Sequence, residues 1–283
     1  MKFDVVIGNY PYQKPKARKT DAVKGVCGST LWDKFAKKSF ELCKKRGFIC
    51  AIHPGQWRKP EHKLLDFLKK QNIKYLEMHD MQDGLKTFGA QTGYDWYIIK
   101  NDIGKCNSVI VDQLGVTSKY DISKLPFVPN SSLDKLFGLV AKNGEEKVNL
   151  LHSYSAYETR KPHMSKEQDD EFKYPCVYGL TKKDGLKLWY SNIKDNGHFG
   201  IKKIIIPNSK CTLSHYDHKG QYGICQFAFG IKVDSDEEAE QIENAINSDS
   251  FNEIWCATEW VYNTKNWQIM KYLRKDFWKV TVS

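Results

Sequence analysis

The sequence predicts an α/β fold: a partly parallel sheet laid down by residues 1–120, then a linker, then a module of short strands and helices. Three observations carry this. Phe3, Val5, Val6 and Ile7 form a near-continuous apolar run, the pattern of a parallel strand covered on both faces. Further apolar runs alternate with segments of helical periodicity, at lengths that suit strand–helix–strand crossovers. After Val148 the composition shifts toward Tyr, Trp and turn residues, and the apolar runs become short.

Taken in order, Gly8 ends the opening strand and lets the chain turn. Asn9, Tyr10, Pro11 and Tyr12 follow at its carboxyl end, where open α/β sheets bind ligands. Residues 13–29 are rich in Lys, Arg, Gly and Thr and lack apolar periodicity, so a long loop is expected. Lys14, Lys16, Arg18 and Lys19 in it are candidate phosphate contacts. Residues 30–46 place Leu31, Phe35, Phe40, Leu42 and Cys43 on one helical face, and Gly47 supplies the stop. Residues 48–52 read as a second buried strand. It runs into the loop His53-Pro-Gly-Gln-Trp-Arg-Lys-Pro60, where His53 reads as polar surface and Trp57 and Arg58 as nucleic-acid contacts. Residues 61–71 form a second amphipathic helix with Leu64, Leu65, Phe67 and Leu68 inward. Residues 73–79 alternate as a strand, 87–100 make a Gly-rich turn feeding another, and 108–114 add one more.

The opening stretch Phe-Asp-Val-Val-Ile-Gly-Asn-Tyr-Pro-Tyr-Gln resembles motif IV of the DNA adenine-N6 methyltransferases, the Asn-Pro-Pro-Tyr box, with Tyr10 where that family usually has its first Pro. The chemistry fits the residue types. A nucleobase amine is a poor nucleophile because its lone pair is delocalised into the ring. Two acceptors, an Asn oxygen and a Pro-flanked carbonyl, draw the nitrogen toward tetrahedral geometry, and an aromatic ring stacks on the flipped base. The loop after residue 52 resembles motif VI, and residues 87–100 resemble motif VIII, in the family's order. The resemblance implies a partial Rossmann-like class I methyltransferase sheet, its strands 4 to 7, over residues 1–120. It implies Asn9, Tyr10, Pro11 and Tyr12 as catalytic residues, Tyr12 and Phe88 as stacking partners of the base, and direct displacement on S-adenosylmethionine without a metal.

The family's cofactor loop, a strand ending in an aromatic-x-Gly-x-Gly turn, has no counterpart here. Phe88-Gly89 and Tyr222-Gly223 lack the strand–loop–helix context. Cofactor-binding residues are therefore unassigned. The expectation is that a partner chain, self-association or another segment completes the sheet along the opening strand, and that the isolated chain does not bind S-adenosylmethionine. A non-catalytic, DNA-binding pseudo-methyltransferase subunit of a restriction-modification system is the alternative.

Residues 121–147, with Pro126, Pro129 and a helix over 132–141, read as a linker. Residues 148–283 take the place of the family's target-recognition domain, an α+β module. Strands are expected at 174–180, 186–190, 201–207 and 223–233, and helices at 235–247, 248–254 and 266–277. Lys182, Lys183, Lys194, Asn196 and Lys210 are candidates for reading base edges. His215-x-x-His218 lacks further ligands at zinc spacing, and the Asp169-Asp-Glu-Phe-Lys173 pattern is too short to assign a nuclease. The 283 residues carry 44 Lys and Arg against 34 Asp and Glu, net charge +10, with 13% aromatics, which suits double-stranded DNA as partner. The scattered cysteines, the absence of a signal peptide and the lack of a spanning apolar run point to a reducing, cytoplasmic compartment.

Overall fold

The computed structural model describes residues 1–12, 30–102, 107–152, 155–208, 213–261 and 266–281. The chain divides into two compact units, Met1–Ser131 with Trp260–Tyr262, and Ser132–Glu259 with Asn263–Ser283.

The first unit is a six-stranded mixed sheet. Its strands are β1 (Phe3–Asn9), β2 (Cys43–Pro54), β3 (Asn72–His79), β4 (Tyr94–Lys100), β5 (Ser108–Val111) and β6 (Thr117–Tyr120), in the spatial order β1-β2-β4-β3-β5-β6. β1 runs parallel to β2, and β3 parallel to β5. β4 is inserted antiparallel to both β2 and β3. Helices α1 (Trp32–Leu42), α2 (Lys63–Leu68) and α3 (Met81–Phe88) lie in the connections.

Side-chain alternation gives this sheet two unequal faces. Ile49, Ala51 and His53 of β2 pair across to Ile99, Tyr97 and Asp95 of β4, and all six are buried. The alternate residues Cys50, Ile52, Trp96 and Ile98 are only half-buried. β1 sits at the sheet edge. Here the expectation of a strand covered on both faces fails: Phe3 is 42%, Val5 49% and Ile7 79% exposed. The apolar run was read correctly as a parallel strand, but within the described residues no second layer covers its outward side chains.

α1 also departs from the expected phase. Its buried positions are Trp32, Ala36 and Ser39, while Phe35 is 45% exposed. The indole of Trp32 sets this rotation by lying between His53 (ring centroids 5.1 Å apart, 19° between planes) and His62 (5.5 Å, 11°). Small Ala36 and Ser39 then let the helix approach the sheet. The helix stops at Leu42, before the expected Gly47. Arg46 adopts φ 67°, and Arg46 N–H and Asn101 N–H bond Asn101 O and Gly47 O, so residues 43–47 already belong to the sheet. Helix α3 and strand β6 are not among the elements expected from the sequence.

In the second unit α4 (Leu133–Leu139) precedes two four-stranded sheets. One has the order β13-β9-β10-β8, from β8 (Met164–Ser165), β9 (Tyr174–Thr181), β10 (Gly185–Ser191) and β13 (Gly223–Ile224). The other has the order β12-β11-β14-β7, from β7 (Leu150–Leu151), β11 (Lys203–Pro207), β12 (His215–Asp217) and β14 (Ala228–Lys232). The stretch expected as one strand over 223–233 is thus two, in different sheets, separated by a turn in which Ala228 N–H bonds Cys225 O at 3.2 Å. Helices α5 (Asp236–Ile246) and α6 (Asp249–Cys256) are capped by Ser235 and Ser248, whose hydroxyls accept from Glu238 N–H and Phe251 N–H. The helix expected over 266–277 is a 3-10 turn, Trp267–Tyr272, followed by α7 (Trp278–Thr281). An interior ion pair ties β11 to β12: Lys203 Nζ lies 2.6 Å from Asp217 Oδ2, both side chains fully buried. The lysine's remaining donors reach His198 O and Ile201 O at 2.9 and 3.2 Å, so its charge is satisfied.

The first unit holds a comparable knot. Asp95 Oδ2 accepts from Trp57 Nε1 and from Arg58 Nε, each at 2.7 Å. The Arg58 guanidinium also donates to Val128 O and Pro129 O, both at 3.1 Å. Removing one partner of a dry ion pair leaves the other charge uncompensated. Asp95→Ala is therefore expected to lower unfolding free energy by about 3–5 kcal/mol in urea titrations; a loss under about 1 kcal/mol contradicts the assignment.

Candidate active-site turn

Asn9 closes β1, and Tyr10 N–H still donates to Ile52 O at 3.1 Å, so the turn leaves the sheet from its last ladder bond. The Asn9 and Pro11 side chains are exposed, and Tyr12 is half-buried. The Asn9 side chain makes no hydrogen bond with the described residues.

Tyr10 does the opposite. It is 5% exposed, its hydroxyl meets Ser39 Oγ at 2.5 Å, and its ring is stacked 6.0 Å from His53 at 10°. Gly8 makes this possible, because a Cβ there would meet the Tyr10 ring at 3.0 Å. Burial raises the Tyr10 phenol pKa, with the Ser39 bond opposing. The structure thus casts the Tyr10 side chain as the anchor of the turn rather than as a group offered to a ligand. A proline at this position would lack both the N–H given to Ile52 and the ring held by His53.

Beneath the turn lies an aromatic and polar interior. His53, expected as polar surface, is fully buried on β2. Its Nδ1 faces Pro54 O at 3.1 Å. A carbonyl only accepts, so Nδ1 carries the proton and Nε2 is left as an acceptor. Burial lowers the His53 pKa to about 4, keeping the ring neutral at pH 7. Tyr97 packs edge-on against it at 5.2 Å, and burial drives the Tyr97 phenol pKa upward. The Tyr12 hydroxyl, His53 Nε2 and Asp95 Oδ1 are all buried without a hydrogen-bond partner among the described residues. Asp95 Oδ1 lies against Gly55, where a Cβ would come within 3.0 Å of it. This concentration of unsatisfied polar atoms around the turn is unusual for a core. Sequence reasoning missed it; the one available signal was Asp95 within the otherwise apolar run Tyr94-Asp-Trp-Tyr-Ile-Ile99.

Trp57 and Arg58 require correction. They are 0% and 1% exposed and bind Asp95, so neither is available to DNA. Phe88 is 37% exposed at the end of α3, edge-on to Tyr94 at 4.9 Å and 78°. Lys14, Lys16, Arg18, Lys19 and Lys210 lie outside the described residues. Of the remaining candidates, Asn196 is occupied by Ala156 O at 2.9 Å, and Lys194 lies 5.9 Å over the Tyr174 ring. Asp169, in the nuclease-like pattern, accepts from Glu171 and Phe172 N–H, an ordinary turn. No group of three or more His, Cys, Asp or Glu among the described residues is placed to hold a metal ion. No helix among them is long and apolar enough to cross a membrane.

Residues 1–88 match the family described as Eco57I restriction-modification methylase. That match covers about a third of the chain. No curated protein matches the sequence. Among solved structures, the type IIL restriction-modification enzyme MmeI, determined in complex with DNA, is 7% identical over 95% of this chain and 45% of its own, with TM-score 0.50, a likeness of fold alone. A Listeria monocytogenes protein assigned to the class I S-adenosylmethionine-dependent methyltransferases matches 35% of this chain and 32% of its own at 19% identity and TM-score 0.26. The type IIG restriction endonuclease BpuSI matches 99% of this chain and 49% of its own at 8% identity and TM-score 0.35. The chain therefore spans less than half the length of each.

The buried histidine makes the first unit pH-sensitive. His53 has a folded pKa near 4 against about 6.5 unfolded, so the unfolded chain binds the extra proton between these values. Its contribution to stability is complete above pH 6.5 and is lost as pH falls toward 4. His53→Gln is expected to flatten the stability–pH slope in this window by about one proton, read from urea titrations at several pH values; an unchanged slope contradicts the burial of a neutral ring.

Proposed function

We propose that this chain is the base-orienting and DNA-reading part of a DNA adenine-N6 methyltransferase. The observation that carries the reading is the division of labour within the turn. Tyr10 is locked into the interior, while Asn9 and Pro11 are held outward at the carboxyl end of β1. The Asn9 side-chain oxygen and the turn's backbone carbonyl accept the two protons of the target amine and hold its nitrogen pyramidal. The Tyr12 ring stacks on the flipped base, with Phe88 as a second aromatic contact. The rate advantage is that of placement and fixed dipoles rather than of a proton carrier.

The strand order supports assigning β1, β2, β3 and β4 as strands 4, 5, 6 and 7 of a class I methyltransferase sheet: β4, late in sequence, is inserted antiparallel between β2 and β3. The described residues include no aromatic-x-Gly-x-Gly loop at a strand end, and they do not fit the methyl donor. No step through S-adenosylmethionine is assigned to them. We infer that a further strand, from a partner chain or another segment, pairs with the free side of β1 and brings that donor. The apolar side chains of Val5 and Ile7, half to four-fifths exposed, support this docking.

The test is transfer of labelled methyl groups to duplex DNA with the sheet-completing chain present. Asn9→Ala is expected to lower the rate by about 100-fold or more while fold and DNA affinity stay unchanged, the scale of losing one preorganised polar contact. Equal rates in the variant and the parent overturn the role of Asn9. DNA binding without transfer under all pairings supports a non-catalytic DNA-binding subunit instead.

A further inference from the structure

The β9–β10 hairpin concentrates positive charge at the end of a firmly rooted ribbon. Its base is part of two apolar clusters: Cys176 packs with Tyr157, Met164 and Cys225, and Val177 with Ile205, Ile224 and Ala228. Leu186 and Leu188 of β10 pack against the second of these. Beyond that root the ribbon opens to solvent. Lys182, Lys183 and Lys187 are exposed, against one acidic neighbour, Asp184. Asp184 is partly engaged in the turn itself, where its N–H donates to Thr181 Oγ1 at 3.1 Å. The Lys187 ammonium stands 3.8 Å from its carboxylate, with both side chains about half exposed.

The face that carries Lys187 is also sterically open. Lys187 pairs across the ribbon with Gly179, and a Cβ at Gly179 or Gly185 would meet nothing within 4 Å. Next to Gly179 the register shifts and Tyr178 is the extra residue. Its ring is stacked on Trp189 at 6.2 Å and meets Phe227, 48% exposed, edge-on at 5.1 Å. The ribbon thus offers bare backbone and lysines at its tip, with an aromatic step behind.

We propose that this ribbon enters a groove of duplex DNA, with Lys182, Lys183 and Lys187 on flanking phosphates and the bare backbone at Gly179 allowing close approach. The inference rests on the DNA-reading function proposed above. A two-stranded ribbon has the width that the major groove admits, about 12 Å. Its charge matches the duplex, and each lysine seated on a phosphate releases condensed counterions.

The measurement is fluorescence anisotropy with a labelled duplex of mixed sequence, for the whole chain, over a series of salt concentrations. The variant is Lys182→Ala, Lys183→Ala and Lys187→Ala together. The comparison variant is Lys63→Ala, Lys70→Ala and Lys74→Ala, which removes the same charge from exposed positions in the first unit. The ribbon variant is expected to lose about 10- to 100-fold in affinity near 0.1 M salt, and its slope of log affinity against log salt should fall by about 2 to 3. The comparison variant is expected to change by less than about 3-fold, as only long-range charge is removed. Equal losses in both variants, or none in the ribbon variant, overturn the ribbon while leaving DNA binding by the chain intact. Failure of the parent chain to bind duplex DNA overturns the ribbon and the DNA-reading function together.

Discussion

A strand that carries its apolar side chains into solvent has to be held by something other than burial. β1 is such a strand. Fully burying a Val or Ile contributes about 1.5–3 kcal/mol relative to exposure, and Ile7, 79% exposed, forfeits most of that. What remains is the parallel ladder to β2, continued by Tyr10 N–H on Ile52 O, and the Tyr10 ring drawn into the interior against His53. The anchor and the offered residues are neighbours in sequence. Fixing Tyr10 therefore fixes where Asn9 and Pro11 stand, although neither makes a packing contribution of its own. The turn is positioned by what precedes and what lies under it.

What lies under it is polar to a degree that a purely structural core does not need. Asp95 is held on one oxygen by Trp57 and Arg58, and its other oxygen is unsatisfied among the described residues. His53 is neutral because it is dry, with Nε2 likewise unsatisfied. Such groups cost stability wherever they are left unpaired. They lie beneath the turn in which Asn9 and Pro11 are exposed. In the second unit, by contrast, the buried Lys203–Asp217 pair has its lysine donors satisfied and serves to join β11 and β12.

Much of the first unit was legible because its signals are local. The apolar runs at 3–7 and 48–52, the helix-period segments between them and the Asn-Tyr-Pro-Tyr turn each appear in consecutive residues. The misread features depend on partners far along the chain. Trp57 and Arg58 read as surface because their partner, Asp95, is almost forty residues away. The phase of α1 followed from Trp32 finding two histidines, not from the Leu and Phe residues that dominate its periodicity. In the second unit, short runs fixed the existence of strands but not their sheets: 223–233 reads as one strand, and only the turn at Cys225–Ala228 divides it. The burial of the Tyr10 side chain was missed for a different reason. Its neighbours suggested a shared chemical role, whereas alternation along β1 sends it to the opposite side from Asn9.

Among the described residues, β1 is a sheet edge with no strand paired to its far side. With Tyr10 N–H bonded to Ile52 O, alternation turns the amides of Val6 and Gly8 toward β2 and those of Val5, Ile7 and Asn9 away from it. Amide hydrogen exchange of the chain alone, resolved residue by residue by NMR, reads this directly. The account predicts slow exchange at Val6, Gly8 and Tyr10 and fast exchange at Val5, Ile7 and Asn9. Uniform protection along all six would show that the edge is already paired, and would contradict a strand waiting for a partner.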